Sequence, residues 1–64
     1  MRHEVYNFLV RAYEKAESAY WEAIPGSEEA NEAEEDLKAV QRVAEKNLTG
    51  LWLERFQNGE GEVS

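Results

Sequence analysis

The sequence predicts an all-α protein, an antiparallel two-helix hairpin that dimerises into a four-helix bundle. Apolar residues recur at helical spacing on both sides of one clear break, Pro25-Gly26, where the chain can turn. The 64 residues include no cysteine and only one histidine, so neither disulfides nor a zinc-type site is expected to support so small a core. Association is the remaining way to stabilise a chain of this size, and we expect a homodimer.

A first helix is predicted over residues 3–24. Its apolar residues fill an arc of about 220° around the helix axis, about twice what one neighbouring helix covers. The arc divides into two rows of residues spaced three and four apart, which implies two packing partners. The alanine row consists of Val5, Leu9, Ala12, Ala16, Ala19 and Ala23. The tyrosine row consists of Tyr6, Val10, Tyr13, Glu17, Tyr20 and Ile24.

A second helix is predicted over residues 28–56, after a turn at 25–27. Ser27 is a favourable N-cap, and Glu28 and Glu29 suit the positive end of the helix dipole. The helix carries one apolar stripe, formed by Ala30, Ala33, Leu37, Val40, Ala44, Leu48 and Leu51. We expect this stripe to pack against the alanine row, whose small side chains let the two backbones approach closely.

Gly50 permits two interpretations of the end of this helix. Either the helix continues to residue 56, as the apolar spacing downstream favours, or it ends near Gly50 and a short third helix follows. Beyond residue 56 the chain has two glycines and one aliphatic residue, too little apolar surface to offset ordering. Residues 1–56 are therefore assigned to a single helical domain and residues 57–64 to a flexible acidic tail.

The tyrosine row is left on the outside of the hairpin when the alanine row faces the second helix. Tyrosine and tryptophan are enriched among the residues that dominate protein interfaces. This face is therefore predicted to bind another protein or a second copy, and an ordinary intramolecular core is the alternative. The candidate partner-binding residues of the first helix are Tyr6, Val10, Tyr13, Glu17, Tyr20 and Trp21. Glu17 needs a basic partner if it is buried, and none if it lies at the rim.

The net charge of −7 comes from 14 acidic and 7 basic residues and disfavours direct binding of nucleic acid. Six acids lie among the nine positions 28–36, so the other 55 residues carry about −1 between them. This cluster has two interpretations: a solvated helix start, or a mimic of a phosphate track that occupies a basic groove on another protein. The candidate partner-binding residues here are Glu28, Glu32, Glu35 and Asp36.

Other function classes find little support in the sequence. His3, three serines and one threonine do not form a nucleophile, base and orienting group, so we expect no enzyme activity and no cofactor. Carboxylates without loop spacing or a histidine partner are usually helix surface, and no metal site is expected. No apolar run approaches the roughly 20 residues that span a bilayer, and the first residues lack the apolar region of a signal peptide. We expect a cytoplasmic protein without membrane contact.

The hairpin and the ending, with Leu48, Arg55-Phe56 and a short tail of glycine and glutamate, resemble the Rop family of plasmid copy-number regulators. The resemblance implies a dimeric four-helix bundle. It implies no RNA contacts, because the exposed face of the first helix carries Glu4, Glu14 and Glu22. The leading hypothesis is therefore a non-enzymatic protein-interaction module that binds through its aromatic helix face. The alternative is an acidic inhibitor of a nucleic-acid-binding protein, of the kind that phages and plasmids use.

Overall fold

Residues 3–63 are described by a computed structural model, and within them the chain forms three helices and no strand. Helix α1 spans His3–Glu22, α2 spans Glu28–Asn47 and α3 spans Gly50–Gln57. The two long helices pack against each other as a hairpin, so the predicted all-α fold is confirmed. The molecule measures 37 × 22 × 17 Å.

The hairpin turn connects α1 and α2 where the sequence predicts it. Gly26 takes a positive φ of 81°, and the Ser27 amide donates to the Ile24 carbonyl at 3.0 Å. The Ser27 hydroxyl accepts a hydrogen bond from the Ala30 amide at 3.2 Å, which satisfies one of the free donors at the start of α2. The predicted N-cap is therefore confirmed.

The continuous helix predicted over residues 28–56 is wrong. Helix α2 ends at Asn47, Leu48 and Thr49 are extended, and Gly50 takes a φ of 56°. The bend brings α3 onto the face of α1 that carries Tyr6. The helical spacing of the apolar residues in α3 does not by itself predict this packing. Leu48 at the bend is completely buried, and this burial of apolar surface favours the turn over a straight helix.

The tail predicted for residues 57–64 contacts α1 in its described part, and its first residue, Gln57, belongs to α3. After α3, residues 58–63 return to α1, where the backbone of Val63 is hydrogen bonded to the side chain of Asn7. Val63 packs against the core, and Arg11 Nε lies 3.3 Å from Glu62 Oε1. Polar contacts with α1 thus hold a segment whose own apolar content is small. Ser64 lies outside the described residues.

The core is concentrated at the end of the hairpin remote from the turn. Its buried residues are Tyr6, Leu9, Val10, Ala44, Leu48 and Phe56. The ring centroids of Tyr6 and Trp52 are 5.1 Å apart, and those of Tyr13 and Phe56 are 5.6 Å apart. Nearer the turn the helix contact is made by alanines: Ala16, Ala30 and Ala33 are buried as predicted, whereas Ala19 of the alanine row and Leu51 of the second stripe are exposed, so their predicted packing is wrong. Large side chains therefore stabilise one end of the hairpin and small ones the other.

Candidate interaction surface

The tyrosine row is divided between core and surface. Tyr6 is 0% exposed and Val10 is also buried, while Tyr13 is half-buried against Phe56. Tyr6 and Val10 were predicted to bind a partner, and this is wrong because α3 occupies their face of α1. These residues stabilise the fold and offer no free surface to another molecule.

Glu17 marks the boundary between the two parts of the row. It is exposed, so its carboxylate needs no buried basic partner. It lines a small cavity with Val10, Tyr13 and Phe56, of about 130 Å³, beside the last residues of α3. Glu17 is thus exposed in the single chain, and its place at the rim of an interface stays a prediction.

Beyond Glu17 the row is uncovered, because α3 has only eight residues. Trp21 is 75% exposed, Tyr20 is exposed, and their rings meet edge to face with centroids 5.7 Å apart. Ile24, after the end of α1, is as exposed as Trp21. We call Tyr20, Trp21 and Ile24 the aromatic tip. A tryptophan is usually largely buried, so this cluster of exposed apolar residues is typical of a binding surface.

Ile24 belongs to this surface although it was absent from the candidate residues. The sequence places it last in the tyrosine row, directly before Pro25, which disfavours helix at Ile24. A large aliphatic side chain in a turn, with no opposing helix to cover it, is the signal that identifies it. The turn therefore contributes to the surface as well as connecting the helices.

The acidic residues lie next to the aromatic tip. Glu28, Glu32, Glu35 and Asp36 are exposed and line one open concavity on α2. Ile24 shares a second concavity with Glu28 and Glu32. Glu34 is 3.2 Å from Lys38, whereas no ion pair joins any of the four lining acids to another described residue. Their carboxylates are therefore available to groups outside the chain.

Within residues 3–63 no three histidine, cysteine, aspartate or glutamate side chains come together in a way that holds a metal ion. His3 lies at the opposite end of α1, where its ring centroid is 5.1 Å from that of Trp52. None of the helices in this range is long and apolar enough to cross a bilayer.

Comparisons with known proteins find no match for this chain, so its proposed function rests on its own structure. No protein-family model, no curated protein and no solved structure matches the chain. The resemblance to Rop implies two helices per chain, and the third helix of this structure departs from it.

Proposed function

We propose that this chain is a non-enzymatic protein-interaction module that binds a partner protein through its hairpin turn. The exposure of Trp21, edge to face with Tyr20, carries the proposal. Burying most of one tryptophan in a complex contributes on the order of 2 to 4 kcal/mol, the value typical of an interface hot spot. Because the tip lies outside the core cluster, docking there requires no rearrangement of the core.

The charges beside the tip define the chemistry of the partner. Glu28 and Glu32 share a concavity with Ile24, so a partner that covers the tip also meets carboxylates. A suitable surface has an apolar pocket for Trp21 and lysine or arginine residues at its rim. Opposite charges of this kind speed the encounter and help to exclude incorrect partners.

The test replaces Tyr20 by a photoreactive phenylalanine analogue, which leaves Trp21 in place, and crosslinks the full chain in the source cell. Binding of the captured protein is then measured with wild type, Trp21→Ala and Leu51→Ala. Leu51 is the matched control, because it is 60% exposed and lies on α3. We expect Trp21→Ala to weaken binding at least about tenfold and Leu51→Ala to leave it unchanged. Equal binding by all three proteins overturns the proposal.

An acidic inhibitor of a nucleic-acid-binding protein is the second candidate function. It is favoured by the open concavity on α2 that Glu28, Glu32, Glu35 and Asp36 line without ion pairs to described residues. This function requires steep loss of binding with salt, competition by nucleic acid, and loss with Glu32→Lys and Glu35→Lys. Binding through the tip instead requires Trp21 and is insensitive to nucleic acid. The two functions are therefore separated by Trp21→Ala and by competition with nucleic acid.

A further inference from the structure

A second apolar face lies on the hairpin, on the other side from Trp21. Phe8 is 67% exposed and Val43 is 45% exposed, and neither is part of the buried core. At 3.6 residues per turn, Phe8 lies on the same side of α1 as Ala12 and Ala19, and Val43 on the same side of α2 as Ala39. We call Phe8, Ala12, Ala19, Ala39 and Val43 the Phe8 face.

Between the helices this face is hollow. Ala12, Ala19 and Ala39 line a groove of about 390 Å³, with Lys15 and Asp36 at its edge. A second hollow nearer the turn, of about 320 Å³, shares Ala19 and Asp36 with the groove and is otherwise bordered by alanines and by Glu22, Glu29 and Glu32. Phe8 is a large side chain on the same face, and the floor of the groove is formed mainly by small ones. The face therefore contains both a knob and a hole that can receive it.

Charge is segregated along α2. Residues 28–36 of α2 carry six acids and no base. Residues 37–47 carry Lys38, Arg42 and Lys46 against Glu45, a net charge of +2. The turn end of α2 is thus negative and the other end is positive. A copy of the chain placed antiparallel on this face meets opposite charge at both ends.

We propose that the Phe8 face binds a second copy of this chain in an antiparallel, two-fold arrangement. Phe8 of each copy enters the groove of the other beside Ala19, and Asp36 of each copy lies near Lys46 of the other. A two-fold axis makes each of these contacts twice.

One axis can relate both pairs of contacts. The midpoint between positions 8 and 19 falls beside Tyr13, and the midpoint between 36 and 46 falls at Gln41. Val40, next to Gln41, packs against the same core as Tyr13, so both midpoints lie at one height in the hairpin. The proposed contacts are therefore mutually compatible.

Trp21 lies nine residues after Ala12, half a turn around α1, so the aromatic tip stays outside this interface.

The first test is the oligomeric state of the full chain, measured by sedimentation velocity from micromolar to submillimolar concentration. We expect a dimer that Phe8→Ala weakens at least about tenfold and that Trp21→Ala leaves intact. Circular dichroism reports whether each variant keeps its helices. A monomer throughout this range overturns the proposal. So does a dimer that survives Phe8→Ala, or one that Trp21→Ala disrupts, since that outcome assigns association to the aromatic tip.

The second test uses charge reversal and does not depend on the fold of the Phe8 variant. Asp36→Lys and Lys46→Glu are each expected to weaken the dimer, and the double variant to restore it. Within one chain these residues are about 15 Å apart along α2, so their coupling reports a contact between copies. Additive effects, with no restoration in the double variant, overturn the antiparallel arrangement.

The third test uses the absence of cysteine from the chain. Chains carrying Asp36→Cys and Lys46→Cys are mixed and oxidised, so that Phe8 stays in both. We expect crosslinks between the two kinds of chain to exceed those within either kind, because positions 36 and 46 face each other only across the axis. A statistical mixture of products contradicts the proposed register.

Discussion

The side chain of Asn7 makes both backbone hydrogen bonds of Val63. Asn7 Nδ2 donates to the Val63 carbonyl at 2.6 Å, and the Val63 amide donates to Asn7 Oδ1 at 2.7 Å. The two residues are 56 positions apart in the chain. One amide side chain on α1 thus makes the pair of backbone hydrogen bonds with Val63 that a neighbouring β-strand would make.

Replacing Asn7 by alanine removes both hydrogen bonds and is expected to release residues 58–63. We expect the free energy of unfolding to fall by about 1 to 3 kcal/mol, because two partly buried groups lose their partner. Denaturant unfolding measures this loss, and hydrogen exchange at the Val63 amide measures the release. Asn47→Ala is the control: its side chain donates to the Val43 carbonyl at 2.8 Å on an exposed surface. A similar loss in both variants contradicts the prediction.

Replacing Tyr6 by phenylalanine is expected to leave stability unchanged or raise it by about 1 kcal/mol. Tyr6 is completely buried, and its hydroxyl has no hydrogen-bond partner among residues 3–63. Removing an unpaired polar atom from a core removes a desolvation cost while the ring contacts remain. Tyr6→Ala deletes the ring and is expected to cost about 3 to 5 kcal/mol, as for other large aromatic deletions. Thermal unfolding of the two variants distinguishes these outcomes.

Alkaline pH is expected to destabilise the fold through the same residue. Burial raises the pKa of Tyr6 above its ordinary value of 10.0; Glu60 raises this pKa further, and Arg55 lowers it. Below pH 10.0 Tyr6 is protonated in both the folded and the unfolded chain, so its contribution is constant. Above that pH the unfolded chain loses the proton first, and the free energy of unfolding falls. Unfolding measured across this range should decline less steeply in Tyr6→Phe than in wild type.

The bend between α2 and α3 depends on the backbone of Gly50. Its φ of 56° disfavours L-residues, yet an added Cβ meets no atom within 4 Å. Gly50→Ala is therefore expected to cost about 1 to 2 kcal/mol through backbone strain alone. A synthetic chain with D-alanine at this position relieves the strain and is expected to be at least as stable as wild type. Equal stability of the two alanine forms rules out strain at Gly50.

The sequence predicts those parts of the fold that local signals specify. Ser27, the glutamates after it and the spacing of the alanines specify the hairpin, since each signal acts within one or two turns of helix. The bend at Leu48 is not predictable from the sequence, because the apolar residues of α3 keep the same helical spacing whether the helix continues or turns. The contact between the tail and α1 is not predictable either, because a polar contact with Asn7 leaves no pattern in the sequence.

The same distinction between local signals and distant contacts applies to the candidate surface. Tyr6 and Val10 share their row with Tyr20, and only the position of α3 shows that the first two are covered and the third is not. The acidic residues on α2 were predicted as exposed surface, and they are exposed. Prediction of exposure thus fails where a distant segment folds back onto a helix, and agrees with the structure where the neighbouring helix turns specify it.

The shortness of α3 has a consequence for the evolution of this chain. Eight residues of α3 extend about 12 Å along an α1 of about 30 Å. Selection for a stable core therefore acts on the covered end, whereas substitutions at Tyr20, Trp21 and Ile24 change few core contacts. The turn end can acquire a new specificity through successive mutations without a loss of folding at each step.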